Sequence, residues 1–155
     1  MKRTTIRERW TATARNRLRV ELAGLAFATR HGHSPEEYAG EVWGRGARGW
    51  MGKPDPTPLE YLHKEAAALA NFYPWVKASA LRAATGHAEL LMSEGCLAGW
   101  GDDRWAIATS LGLSRQDVCR YCSEAFRVWG EQMDLKVSIT PLSDGTCLLS
   151  AAGEE

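Results

Sequence analysis

Twice in the N-terminal half of this chain a hydroxyl residue is followed directly by proline and, three positions after itself, by glutamate: Ser34-Pro35-Glu36-Glu37 and Thr57-Pro58-Leu59-Glu60. Each reads as a helix start. The hydroxyl accepts a hydrogen bond from a first-turn N–H that lacks an intrahelical partner, the glutamate reaches back to the cap, and proline occupies the one turn where its missing N–H does no harm. The first of these helices is expected to run to about Trp50 and the second to about Asn71, with Gly52 to Pro58 (GKPDPTP) as a break between them. Glycines at 40, 44, 46 and 49 weaken the first helix, which points to close approach of another backbone or of a ligand.

Upstream, Ile6, Trp10, Ala14, Leu18, Leu22 and Leu25 recur at helical spacing, and Gly32 offers a stop. The opposite face of this helix is basic, with seven Lys or Arg within residues 1–20 against Glu8 alone. It reads as a solvated face or as a surface for an anionic partner or an acidic neighbouring subunit. The N-terminal stretch has no apolar run after its basic residues, so a secretory signal is not expected. No apolar stretch approaches the roughly 18 residues of a membrane span. A cytoplasmic protein that does not enter the membrane is therefore expected.

Downstream, Val76, Ala78 and Ala80 alternate with polar residues, as do Ala88, Leu90 and Met92 beyond Thr85-Gly86-His87, the pattern of a hairpin. Leu97 to Gly112 reads as a short helix. Ser114 with Asp117 caps another, whose face is Val118, Cys122, Ala125 and Trp129 and whose end lies near Gly130. Leu135 to Thr140 alternates, Ser143-Asp144-Gly145-Thr146 is a turn, and Cys147-Leu148-Leu149 returns as its partner strand. The expected fold is a single α+β domain over 1–155. Its helical half spans 1–73, and its hairpin-helices-hairpin half, 74–151, forms one antiparallel sheet covered by helices.

With 155 residues, 45% of them hydrophobic, the chain can bury a core without disulfide staples, so Cys96, Cys119, Cys122 and Cys147 are expected as reduced thiols or metal ligands. Cys119 and Cys122 open a helix three positions apart, where the helix N-terminus favours thiolate. If that helix crosses the sheet, all four thiols could meet as ligands for zinc or an iron–sulfur cluster; buried cysteines without a metal are the plain alternative. A cysteine nucleophile would need a base, from among His31, His33, His63 and His87. Seven tryptophans, at 10, 43, 50, 75, 100, 105 and 129, suggest an aromatic core or an apolar ligand cavity. The chain carries no phosphate-binding glycine loop, dinucleotide fingerprint, nucleophile elbow or HExxH zinc motif.

The segment Trp105 to Val118 also has helix-turn-helix spacing, with the Asp144-Gly145 hairpin as a wing. Zero formal net charge and only Arg115, Arg120 and Arg127 along the second helix make nucleic acid an unlikely partner.

Three features of the C-terminal half carry a resemblance: Glu94-Gly95-Cys96 ending a strand, Asp117 to Cys122 opening a helix, and Leu135 to Thr140 followed by Asp144-Gly145-Thr146-Cys147. Over about residues 85–151 they resemble the L-2-amino-thiazoline-4-carboxylic acid hydrolase-like family, and more distantly they are similar to 4-vinyl reductase-type small-molecule-binding domains. Tyr121 stands where that family frequently has His, and Asp144-Gly145 reverses its usual Gly-Asp order. The resemblance implies an α+β domain with a pocket between sheet and helices, with Cys96, Cys122 and Cys147 near it. It also implies a small heterocyclic or partly apolar ligand, with hydrolysis of a C–N or C–S bond as its chemistry. On this reading Cys122 is the active thiol, His87 the general base, Trp100 and Trp129 cavity walls with Cys96 beside them, and Cys96, Cys119, Cys122 and Cys147 a shared metal set. The contrasting expectations are a winged-helix DNA-binding regulator and a non-catalytic ligand sensor or scaffold, including as a homodimer.

Overall fold

The computed structural model describes residues 4–94, 105–142 and 146–153. Its helices are α1 (Ile6–Arg30), α2 (Pro35–Trp43), α3 (Ala47–Met51), α4 (Pro58–Phe72), α5 (Ala106–Ser110) and α6 (Arg115–Glu131). Its strands are β1 (Lys77–Ala84), β2 (His87–Glu94), β3 (Leu135–Pro141) and β4 (Cys147–Gly153). Among the described residues the strands form one antiparallel sheet in the order β1-β2-β4-β3. The fold is α+β, and no described helix is long and apolar enough to cross a membrane.

All four long-helix starts carry a reciprocal capping box: Thr5 with Glu8, Ser34 with Glu37, Thr57 with Glu60, and Ser114 with Asp117. Each box satisfies two first-turn donors locally, so the helix boundaries follow from short-range chemistry. The segment expected as one helix to Trp50 is two. Gly44 ends α2, and Gly46, at φ +99°, takes a left-handed conformation that turns the chain into α3. The break is held from outside: Gln132 accepts from Ala47 N–H at 3.2 Å and donates to the Trp43 carbonyl at 2.8 Å. The expected Leu97–Gly112 helix is described only as α5, since residues 95–104 lie outside the described set.

Alternation in the strands fixes which face is buried. Ala88, Leu90 and Met92 of β2, Leu135, Val137 and Ile139 of β3, and Leu149 and Ala151 of β4 are all buried on one side, because successive side chains point to opposite faces. Helix α4 packs on that side against β1, β2 and β4, while α6 packs against β3 and α2. Helix α1 lies over the pair, tied to the end of α4 by a hydrogen bond from Trp10 Nε1 to the Asn71 carbonyl at 2.9 Å. Gly130 lets α6 approach β3: a Cβ there would lie 2.3 Å from Val137 Cγ2. The helix-turn-helix spacing is present as α5 and α6, but Arg120 is engaged by Glu36 at 2.6 and 2.7 Å. Arg127 is engaged by Glu124 and Glu131, and Arg115 lies over the Trp105 ring at 5.6 Å.

Candidate functional site

Between α1, α4 and α6, with α2 and α3 at one end, the helices line a partly open cavity of about 260 Å³. Helical periodicity builds its walls. Val118, Tyr121, Cys122, Ala125, Phe126 and Trp129 form one stripe of α6, Arg17, Leu18, Glu21 and Leu22 come from α1, and Glu65, Ala68, Leu69, Phe72 and Tyr73 from the α4 side. Trp43 and Trp50 close the end. The volume lies just below the roughly 300 Å³ where drug-sized sites begin, which suits a single ring with a short substituent.

One wall is a hydrogen-bonded aromatic relay. Trp43 Nε1 donates to Tyr121 Oη at 2.7 Å, and Tyr121 Oη donates to Glu21 Oε1 at 2.9 Å. Tyr73 Oη donates to Glu21 Oε2 at 3.3 Å, so both carboxylate oxygens are met by phenols. Burial, reinforced by the neighbouring Glu21 charge, pushes the Tyr73 and Tyr121 phenols well above their ordinary range, which keeps them protonated donors. The tryptophans touch in series: Trp43 meets Trp129 edge-on with ring centres 5.5 Å apart, and Trp129 meets Trp50 at 5.7 Å.

The opposite wall carries Glu65, which is only 7% exposed. Beside it stands Tyr61, one helical turn back, whose buried hydroxyl makes no hydrogen bond of ordinary geometry within the described protein. Desolvation raises the Glu65 carboxyl to about 7, with Tyr61 opposing the shift only in part. A carboxyl of this kind can hold or release a proton at neutral pH, and it costs the fold stability when ionised.

Among the residues expected at the site, Cys122 and Trp129 line the cavity. Cys119, on the same helix, does not, and Cys147 lies in β4 opposite Met92 and Pro141. Among the described residues no three His, Cys, Asp or Glu side chains gather as a metal site, so Cys119, Cys122 and Cys147 do not share one. His87 is also elsewhere: it begins β2, with Nε2 3.4 Å from Glu89 Oε1, and is not in the cavity lining that contains Cys122. The reason is topological, because the Thr85-Gly86 turn lies at a sheet end while the cavity lies between helices. Cys96 and Trp100 lie outside the described residues.

Sequence reasoning singled out neither of the two carboxylates. Glu65 was legible as the one acidic residue between Leu62 and Leu69 on the buried face of α4, and Glu21 as the acid between Leu18 and Leu25 on that of α1. No family model matches the chain, and no curated protein or solved structure matches it.

Proposed function

We propose that this protein binds a small, partly apolar organic molecule in the cavity between α1, α4 and α6. The observation that carries this reading is a preformed aromatic chamber that contains two glutamates with different environments. Glu21 is held by two phenols, whereas Glu65 is buried without an ion-pair partner among the described residues. A sealed core would favour an apolar side chain at position 65, since a buried carboxyl costs free energy that packing alone does not return. A ligand that meets this group offsets that cost.

The test is a screen of single-ring aromatic and heterocyclic compounds by tryptophan fluorescence and thermal shift, run beside Ala125→Phe, which fills the chamber. Saturable binding to the wild type that is lost in a folded Ala125→Phe variant supports the reading. Equal binding to both proteins, or none across the screen, overturns it.

A hydrolytic version of the same reading is favoured by one observation: a thiol, Cys122, and an ionisable carboxyl near neutrality, Glu65, line the same chamber. Cys122 would add to the electrophilic carbon as its thiol proton passes to Glu65, the C–N or C–S bond would break as Glu65 returns that proton to the leaving nitrogen or sulfur, and water would then cleave the Cys122 thioester and restore the thiol. Turnover that vanishes in Cys122→Ser while binding persists would identify it.

A further inference from the structure

We infer that the ligand is an organic cation, a protonated or quaternary amine on a small apolar body, with its charge met by Glu21 and Glu65 and its onium group among Trp43, Trp50 and Trp129. This inference rests on the binding reading above and specifies its ligand class.

The first argument is charge. The lining holds two carboxylates and one cation, Arg17. Arg17 sits four residues before Glu21 on α1 but forms no ion pair with it; its guanidinium instead lies over the Phe72 ring, 3.9 Å from the centroid. Lys64 is turned elsewhere too, donating to the Met51 carbonyl at 2.9 Å. Among the described residues neither Glu21 nor Glu65 has a Lys, Arg or His partner at ion-pair distance. An anionic ligand would add like charge to this chamber, and a purely apolar one would leave Glu65 uncompensated. A cation corrects both.

The second argument is the aromatic surface. Three indoles touching in series, with Trp129 in the middle, line one end of the chamber, and the electron-rich faces of such rings attract onium groups. The protein's own cations use rings of the lining in this way: Lys64 Nζ lies 5.2 Å from the Trp50 centroid and Arg17 over Phe72. The hydrogen bond from Trp43 Nε1 to Tyr121 turns the indole N–H toward the relay, so that edge does not compete with the ring face for the ligand. A chamber of about 260 Å³ accommodates a trimethylammonium group and one small ring.

The experiment uses three probes of similar shape on the full chain: benzyltrimethylammonium, its neutral carbon isostere neopentylbenzene, and the anion phenylmethanesulfonate. Binding is followed by tryptophan fluorescence and calorimetry at neutral pH. The cation is expected to bind about tenfold or more tighter than either comparator. Glu65→Gln is expected to remove most of that preference, with circular dichroism confirming the fold.

A second measurement keeps the proposal testable if that variant does not fold. The titratable groups facing Glu65 across the chamber are Arg17 and Glu21 from α1, Tyr73 beyond α4, and Tyr121 and Cys122 from α6, with Tyr61 one turn back. Cation binding should release protons near pH 7, read from calorimetry in buffers of different ionisation enthalpy, whereas the neutral isostere should release none. If neopentylbenzene or the sulfonate binds as tightly as the cation, or the cation releases no protons, the cation assignment falls and the binding reading survives. If no probe binds and the wider screen is also empty, the binding reading itself falls.

Discussion

Tyr121 on α6 donates its phenolic hydrogen to Glu21 on α1 at 2.9 Å, joining residues a hundred positions apart in the chain. The same oxygen accepts from Trp43 Nε1 at 2.7 Å, so one hydroxyl links three helices. Tyr121→Phe keeps the ring and removes both bonds, leaving a half-buried indole N–H and a carboxylate short of a donor. A loss of about 1–3 kcal/mol is expected, read from urea midpoints at unchanged m-value. Tyr73→Phe, which breaks only a 3.3 Å bond, should cost less.

Glu65 makes stability depend on pH in an unusual direction. Its folded-state pKa is raised from 4.5 to about 7, so the folded protein binds the extra proton between those values. Stability attributable to this group is therefore complete below about pH 4.5 and is lost as pH rises through about 7. The full effect is on the order of 3 kcal/mol. Thermal melts should show wild-type stability falling between pH 5 and 8 more steeply than that of Glu65→Gln, with the variant gaining most at the alkaline end. Equal slopes would show that the carboxyl is not desolvated.

Two glycines offer a paired test of packing. A methyl group at Gly130 would meet Val137 Cγ2 at 2.3 Å and Cβ at 2.8 Å, both anchored in the sheet. At Gly24 the nearest atom is the Tyr38 hydroxyl, at 2.1 Å, the free end of a side chain that can turn away. Gly130→Ala should cost about 1–3 kcal/mol or more, and Gly24→Ala distinctly less, by chemical denaturation.

At the start of α6 a cap is expected to outweigh an ion pair. Ser114→Ala removes a hydroxyl that accepts from Asp117 N–H at 3.1 Å and should cost about 1 kcal/mol. Arg120→Ala breaks the two-pronged pair with Glu36, yet both side chains are more than a third exposed, so a loss of about 0.5 kcal/mol is expected. The ordering is the check, and added salt should erase only the arginine effect.

Much of the architecture was legible because local chemistry determines it. The boxes at Ser34, Thr57 and Ser114 mark their helix starts to the residue, and both strand pairs follow from alternation, on either side of Gly86 and in Leu135 to Thr140 with Cys147 to Leu149. The α2–α3 break was not legible as such, since it depends on Gln132 bonding from the far end of α6. The site was half legible. Cys122 and Trp129 follow from the periodicity of α6, but attention to thiols and imidazoles favoured His87, which the topology carries to a sheet end. Glu21 and Glu65 look like ordinary helix acids until the three-dimensional crossing of α1, α4 and α6 places them in one chamber. Periodicity reports which face of a helix is buried, and not what stands across from it.

The chamber draws its walls from residue 17 through residue 129. No shorter stretch of chain lines it, so a molecule bound there would recognise only the finished fold. A compound present at about a hundred times its dissociation constant would add about 2.7 kcal/mol to stability. Because partly unfolded chains are removed in the cell, abundance of the protein would then track supply of the compound. On the proposed reading the cavity would link the protein's lifetime to the concentration of a small molecule, with no second domain needed to carry the message.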